Sequence, residues 1–289
     1  MRSLIDRFSS PLAVRSGTIA LLFAIVALFL LTGNRVAAAP RATEAEENVL
    51  RQLWQRHQTN TTEHAHIAEI CARIEARYPD FAFLPIVRCI AAWHYLQEGR
   101  IDESANLWLR IENDASRDPM GRAALRMART WLTRIDREHV RKALRKVYSE
   151  NVRYPRNLEP LREMDARQQP PLADRWGDPW RYEWTQFRFL NVSEGQHYRL
   201  ESTNIRTTSD LHEALNIGYG DGLTLRPVRL LGFASDRQTL EFTTTTTPAE
   251  SVTLAQGASY QGQSLVYVGA QIVILADTDH WGIFSRPNP

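Results

Sequence analysis

Residues 63–71 bring histidine, carboxylate and thiol donors together as Glu63-His64-Ala65-His66, then Glu69 and Cys71. Those are the donor types of zinc sites. On a helix, however, side chains two positions apart point about 200° away from each other, so His64 and His66 share an ion only at a frayed end or on a strand. A solvated helix start is the expectation. His139, His197, His212 and His280 stand singly, with no cysteine or serine nucleophile in a recognisable elbow. The chain has no glycine loop to cradle phosphates and no dinucleotide fingerprint. An enzyme here would need distant residues, such as His197, His212 and Asp210, to meet in one pocket. The expectation is a non-enzymatic protein without catalytic, cofactor or metal residues.

Composition bounds the alternatives. The 289 residues leave room for about two domains. With 35 basic and 33 acidic residues the net charge is +2, which gives no global drive toward nucleic acid or anionic lipid. Thr18–Leu31 is uncharged and nearly all apolar, and it follows Arg2, Arg7 and Arg15, the positive flank of a cytoplasmic side. Extended over 17–33, it reaches the lower limit for a membrane-crossing helix. Arg35-Val36-Ala37-Ala38-Ala39 resembles a signal-peptidase site, so the segment is either a retained anchor or a cleaved signal. Both place the remainder outside the cytoplasm: an inner-membrane protein with periplasmic domains, or a periplasmic one. Cys71 and Cys89 are the only cysteines. On neighbouring antiparallel helices they could be close enough to pair, which spacing alone does not establish; the alternative is two small buried apolar side chains.

The elements divide the chain into a basic region (1–16), the apolar segment (17–33), a linker (34–43), a helical region (44–134), a mixed region (135–219) and a β region (220–289). Helical periodicity marks Ala45–His57, then a run through Ile67, Ile70, Cys71 and Ile74 capped by Thr62. A third helix spans Phe83–Gln97 and Gly99 closes it. Another begins at Ile101, and one more at Asp118-Pro119 that runs to Leu132. Ala91-Ala92-Trp93-His94-Tyr95, followed by Gly99 and Ile101–Ala105, resembles a tetratricopeptide unit; a generic helical bundle is the alternative. Either offers an apolar helical face to a partner chain.

Ile135–Asn151 reads as a helix with Val140, Ala143, Leu144, Val147 and Tyr148 on its apolar face. Arg153-Tyr154-Pro155 follows, then Leu158, Leu161 and Met164 on a short second helix, then Gln168-Gln169-Pro170-Pro171. Asp174 to Trp184 reads DRWGDPWRYEW, with three tryptophans in eleven residues. Gly177 admits a sharp turn beside Trp176, and Pro179 keeps Asp178 extended. Trp180, Tyr182 and Trp184 then alternate with charged residues, the pattern of a half-buried strand. Further strands are expected at Phe187–Leu190 and His197–Glu201. The tryptophans, Trp176 and Trp180 together, are expected to fold over Val140, Leu144 and Tyr148.

That order is similar to the globular part of the major pseudopilin of type II secretion systems. Tyr154, Pro155, Asp174, Trp176, Gly177, Pro179, Trp180 and Tyr182 carry the resemblance, and Tyr198–Ser202 stands where the family has a Tyr-x-Leu-x-Ser strand. The family often adds an acidic calcium loop there. Thr203–Asp210 offers one carboxylate and an arginine, so no calcium site is expected. The apolar segment also lacks the family's glutamate, and about a hundred residues separate it from the pilin-like part. Packing into a filament through that helix is therefore not expected.

Beyond Leu223, strands are expected at Leu225–Phe233, Thr239–Thr245, Ser251–Leu254, Ser264–Val268, Gln271–Asp277 and Trp281–Ser285. They form a small antiparallel barrel or sandwich, with the run Thr243–Thr247 on an exposed edge. The arrangement resembles small β domains of inner-membrane assembly proteins that bind the secretin channel. The chain as a whole reads as α+β. The resemblance implies a docking or scaffold subunit of a type II secretion or type IV pilus apparatus, held at the membrane by its N-terminal segment, with other protein subunits as partners and no nucleic acid. A general periplasmic scaffold unrelated to secretion is the alternative.

Overall fold

The computed structural model describes residues 42–59, 62–189, 193–216, 228–233, 239–244 and 251–285. The class is α+β, with helices first and small antiparallel sheets after them. Segment 17–33 lies outside the described residues, as do 1–16 and most of the linker. Among the described residues no helix is long and apolar enough to cross a membrane.

Four helices come first: α1 (Glu44–Thr59), α2 (His64–Arg77), α3 (Leu84–Gln97) and α4 (Ile101–Asp114). The outer ones bury one apolar stripe, such as Leu50, Leu53 and Trp54 on α1 or Trp108 and Ile111 on α4, whereas α3 is buried nearly all round from Ile86 to Leu96. Thr62 does not cap α2; the capping position is Glu63, and no side chain bonds the free amides there. Gly99 closes α3 at φ 73°, with the Arg100 amide reaching back to the Tyr95 carbonyl. Cys71 and Cys89 are free, buried thiols in the same core.

The two helices expected on either side of residue 134 are one, α5 (Pro119–Asn151). Asp118 caps its start by accepting from the Gly121 amide at 2.7 Å, and no glycine or proline interrupts it afterwards. It ends at Val152, which adopts a left-handed conformation. α5 is thus shared: its first half packs in the helical core and its second half carries Val140 and Leu144 into a separate cluster.

A short 3₁₀ turn (Glu159–Glu163) follows, then the hairpin β1 (Arg181–Phe189) and β2 (Ser193–Glu201). The strands expected at Trp180–Trp184 and Phe187–Leu190 merge into β1, because β2 pairs with its whole length from Arg181↔Glu201 to Phe189↔Ser193. A short helix, α6 (Leu211–Asn216), was not anticipated; it buries Leu211 and Ala214.

The C-terminal strands form two sheets: β3 (Val228–Phe233), β4 (Thr239–Thr244) and β5 (Ser251–Ala255), then β6 (Ser259–Tyr260), β7 (Gln263–Val268), β8 (Ile272–Ala276) and β9 (Trp281–Ser285). Thr243 and Thr244 sit on β4, the central strand of its sheet rather than an edge; the rest of the threonine run lies outside the described residues. β8 is buried along both faces. Ile272, Ile274 and Ala276 join the helical core, whereas Val273 and Leu275 join Leu254 of β5 on the opposite side. Trp281, Val266 and Tyr267 complete the seal on the helices.

One carboxylate fixes this docking. Glu47 of α1, only 1 % exposed, accepts from the Tyr267 hydroxyl at 2.8 Å and the amides of Ala270 and Gln271 at 3.0 and 2.6 Å. Gly269 has to lack a side chain, since a Cβ there would lie 2.1 Å from the Glu47 carboxylate. Truncating Glu47 would strand the buried Tyr267 hydroxyl and two partly buried amides. Glu47→Ala is expected to lower stability by about 3 kcal/mol in urea unfolding, with β7–β8 becoming the first site of proteolysis. A variant with an unchanged urea midpoint would contradict this assignment.

Candidate functional site

The residues singled out in sequence converge on the second half of α5. Trp180 is 5 % exposed and packs with Val140, Ala143, Leu144, Leu161 and Leu200. Its indole N–H donates to the Pro171 carbonyl at 2.9 Å, which ties the double-proline stretch to the hairpin. The Tyr182 hydroxyl donates to the Pro155 carbonyl at 2.7 Å, and the Tyr154 amide donates to the Gln196 side chain at 2.9 Å. Arg153-Tyr154-Pro155 is thereby pinned to both strands. Tyr148, Tyr154, Tyr198 and Tyr182 form a continuous aromatic contact, with ring centroids 4.5, 4.7 and 5.9 Å apart in that order. Burial raises the Tyr182 hydroxyl well above its ordinary pKa, and neighbouring Tyr198 and Tyr154 add to this.

Asp174 organises the turn. Its carboxylate accepts from the amides of Trp176 and Asp178 at 3.0 and 3.1 Å, from the Ser202 hydroxyl at 2.6 Å and from the Asn204 amide group at 2.9 Å. Burial opposes its charge, but these bonds outweigh that and hold the carboxyl below its usual range. Gly177 takes φ 91° within this turn. Arg175 grips Asp136 of α5 with two bonds, at 2.6 and 3.1 Å, a pairing across 39 residues that no local pattern encodes. Burial pushes the Asp136 carboxyl up, and Arg175 pulls it back.

Trp176 behaves differently from the expectation. It is half-buried and outside the cluster around Val140, because the Asp174 turn directs the chain past α5 before Trp180 enters. Tyr148 is likewise 39 % exposed and contributes its ring to Tyr154 rather than to the core. Gly177 and Pro179 are exposed, and Pro179 forms an isolated antiparallel bridge with Ala173. Where a calcium loop would lie, arginines hold the backbone instead. Arg134 donates to the Thr208 carbonyl at 3.0 Å, and Arg137 reaches the Leu200 carbonyl and Asp210 at 2.8 and 2.9 Å.

His197 and His212 are exposed, while Asp210 is bound by Arg137 and Arg141. Among the described residues no hydrogen bond or ion pair joins these three, and no cluster of histidine, cysteine and acidic side chains is set to hold a metal ion. A groove of about 570 Å³ runs between α5 and residues 164–171. His139, Lys142, Lys146 and Arg167 line it, above a floor of Ala143, Met164, Pro170 and Pro171. Of the nearby acids, Asp136 is paired with Arg175 and lies 4.0 Å from His139, and Asp165 accepts from the Arg167 amide, against the Lys142, Lys146 and Arg167 side chains on the lining. The groove therefore presents cations.

The closest histidine contacts lie elsewhere, at the junction of α1, α2 and α3. His94 Nε2 is 2.9 Å from His57 Nδ1, and His94 Nδ1 is 2.9 Å from His64 Nδ1. His66 and Glu69 are exposed, as expected of a solvated helix start, but His64 departs from that expectation: it is half-buried because its ring turns in to His94. His57 and His94 escaped notice in the sequence because each sits inside an unremarkable amphipathic helix.

No protein-family model matches the chain, and comparison with curated proteins and with solved structures gives no match either.

Trp180→Ala is expected to destabilise the protein by about 3–5 kcal/mol, whereas Trp176→Ala should remove about 1 kcal/mol. Thermal unfolding of the two variants measures the difference. Equal losses would mean that Trp176, too, is a core residue.

Proposed function

We propose that the protein is a non-enzymatic docking or scaffold subunit of the cell envelope, related to type II secretion and type IV pilus machinery. The observation that carries this reading is the way the pseudopilin-like motifs are tied to one another. Trp180 reaches the double proline, Tyr182 reaches Arg153-Tyr154-Pro155, and Asp174 reaches Ser202, all over Val140 and Leu144. Four stretches that resemble one family in order also form one cross-linked unit. The N-terminal apolar segment would hold this unit at the inner membrane with its folded part on the periplasmic side.

The helical region, read as tetratricopeptide-like, would act as the frame rather than the docking face. Its apolar surface is engaged by β7, β8 and β9 of the same chain. Docking then falls to the pilin-like unit, where the cation-lined groove along α5 suits an acidic segment of another subunit. The second reading is a general periplasmic scaffold unrelated to secretion.

The two readings separate on what co-purifies from membranes with the anchor intact. Secretin-associated or assembly subunits are expected under the first reading, and their absence would remove it. Lys142→Glu with Lys146→Glu should weaken that co-purification at least tenfold at low salt while leaving stability within about 0.5 kcal/mol, because both side chains are exposed. Undiminished capture by the doubly reversed variant would place the docking face elsewhere.

A further inference from the structure

His57, His94 and His64 form a chain of three imidazoles in which His94 uses both ring nitrogens. His57 is 4 % exposed and His94 fully buried, while His64, the first residue of α2, is half-buried. Trp93 meets His57 and His64 edge-on, with centroids 5.4 and 5.8 Å away, and Trp54 lies 5.0 Å from His57. Charged groups border its exposed end. Glu98, at the C-terminal cap of α3, favours a charge on His64 and also lies 3.6 Å from Arg100; Glu63 immediately precedes His64.

Each link in the chain needs one N–H and one lone pair. Three neutral rings satisfy both links in either of two directions. One added proton is also accommodated, since an end ring can donate inward or His94 can donate both ways. A second proton cannot be, because neutral His94 has a single lone pair to offer and two adjacent imidazolium rings meet N–H to N–H. We propose that this chain is a proton-operated latch: neutral, it ties the end of α1 to α2 and α3, and uptake of two protons breaks it and frees the α1–α2 corner.

Burial supports the neutral state. It pushes His57 down to about 3 and His94 down to about 2, with neighbouring histidines adding to the effect, and it lowers His64 as well. These are groups whose folded pKa lies below the ordinary value near 6.5. Their contribution to the closed state is therefore complete above about pH 6.5 and declines as pH falls below it. An excess of two protons in the open form changes the closed-to-open ratio by up to about a hundredfold per pH unit well below 6.5, and by about a thousandfold at pH 5 relative to the neutral plateau. The far end of α1 is held separately by Glu47 on the β7–β8 turn, so the corner can open while the sheet stays docked.

Hydrogen exchange of the full chain at pH 7 and pH 5, corrected for intrinsic rates, tests the latch. Amides at the end of α1 and the start of α2 should lose protection about a thousandfold, and those of α5 around Met127–Leu132 should not. His94→Gln keeps a donor and an acceptor without titrating, and should reduce the loss to tenfold or less. Should that variant not fold, ring-nitrogen resonances of the wild-type protein at pH 7 should show three neutral rings. Equal protection at both pH values, equal loss in α5, an unaltered response in His94→Gln or an imidazolium at pH 7 would each overturn the proposal. So would opening of the corner by a chelator at pH 7, because a metal ion would then be the tie.

Discussion

The guanidinium of Arg134 is buried where three distant parts of the chain meet. It lies 2.7 Å from Asp279 in the β8–β9 turn and donates to Thr207 and to the Thr208 carbonyl, each at 3.0 Å. It also rests 4.6 Å over the ring of Trp131 on its own helix. Thr207 closes the triangle by donating to Asp279 at 2.7 Å. A charge this deep is tolerable only when it is paired and hydrogen-bonded. Such a pair adds little net stability over an apolar replacement, but losing one partner costs about 3–5 kcal/mol. Its effect is therefore on the alternatives: an arrangement that separates the β8–β9 turn from α5 strands Arg134.

That constraint explains why α5 is long. Residue 134 lies near its middle, with Met127 and Trp131 in the helical core on one side and Val140 and Leu144 under the hairpin on the other. A break at 134, where the hydrophobic pattern changes partner, would let the two halves swivel and pull Arg134 from Asp279. The unbroken helix transmits the position of one core to the other. Glu47 repeats the device at the first helix, where a buried acceptor meets three donors from the β7–β8 turn. The C-terminal sheet is held at two of its turns by opposite charges from two different helices. That makes it part of the helical core rather than an appendage.

What the sequence made legible follows from interaction range. Helices α1–α4 and most strands emerge from periodicity, and the cap at Asp118 and the closure at Gly99 are written in neighbouring residues. Trp180 and Tyr182 were legible because an aromatic strand beside an apolar helix has one natural partner. Trp176 was not, since composition cannot show that the Asp174 turn carries it past the helix. The decisive polar contacts span separations that no local pattern encodes: 220 residues between Glu47 and Tyr267, and 37 between His57 and His94. A histidine inside an amphipathic helix looks the same whether it faces leucine or another histidine.

The Asp174 network also bears on how far a resemblance of motifs can be taken. Asp174 accepts the amides of its own turn and reaches across to Ser202 and Asn204, so the aspartate of one motif and the serine of the next are a single bonded unit. Gly177 supplies the positive φ that this turn needs, and Trp180 supplies the apolar anchor. Each residue therefore has a local physical reason to be present with the others: a hairpin has to be fastened to a helix through a turn whose amides are otherwise unpaired. Common descent from a pilin-type domain would preserve such a set. Independent arrival at the same fastening would produce it too, because few side chains other than Asp can bond two turn amides and two side chains at once. The motif thus speaks most directly to how the hairpin is held. Its bearing on the proposed role comes through the company it keeps: an uncharged apolar stretch near the N-terminus of the sequence and a cation-lined groove on the same helix.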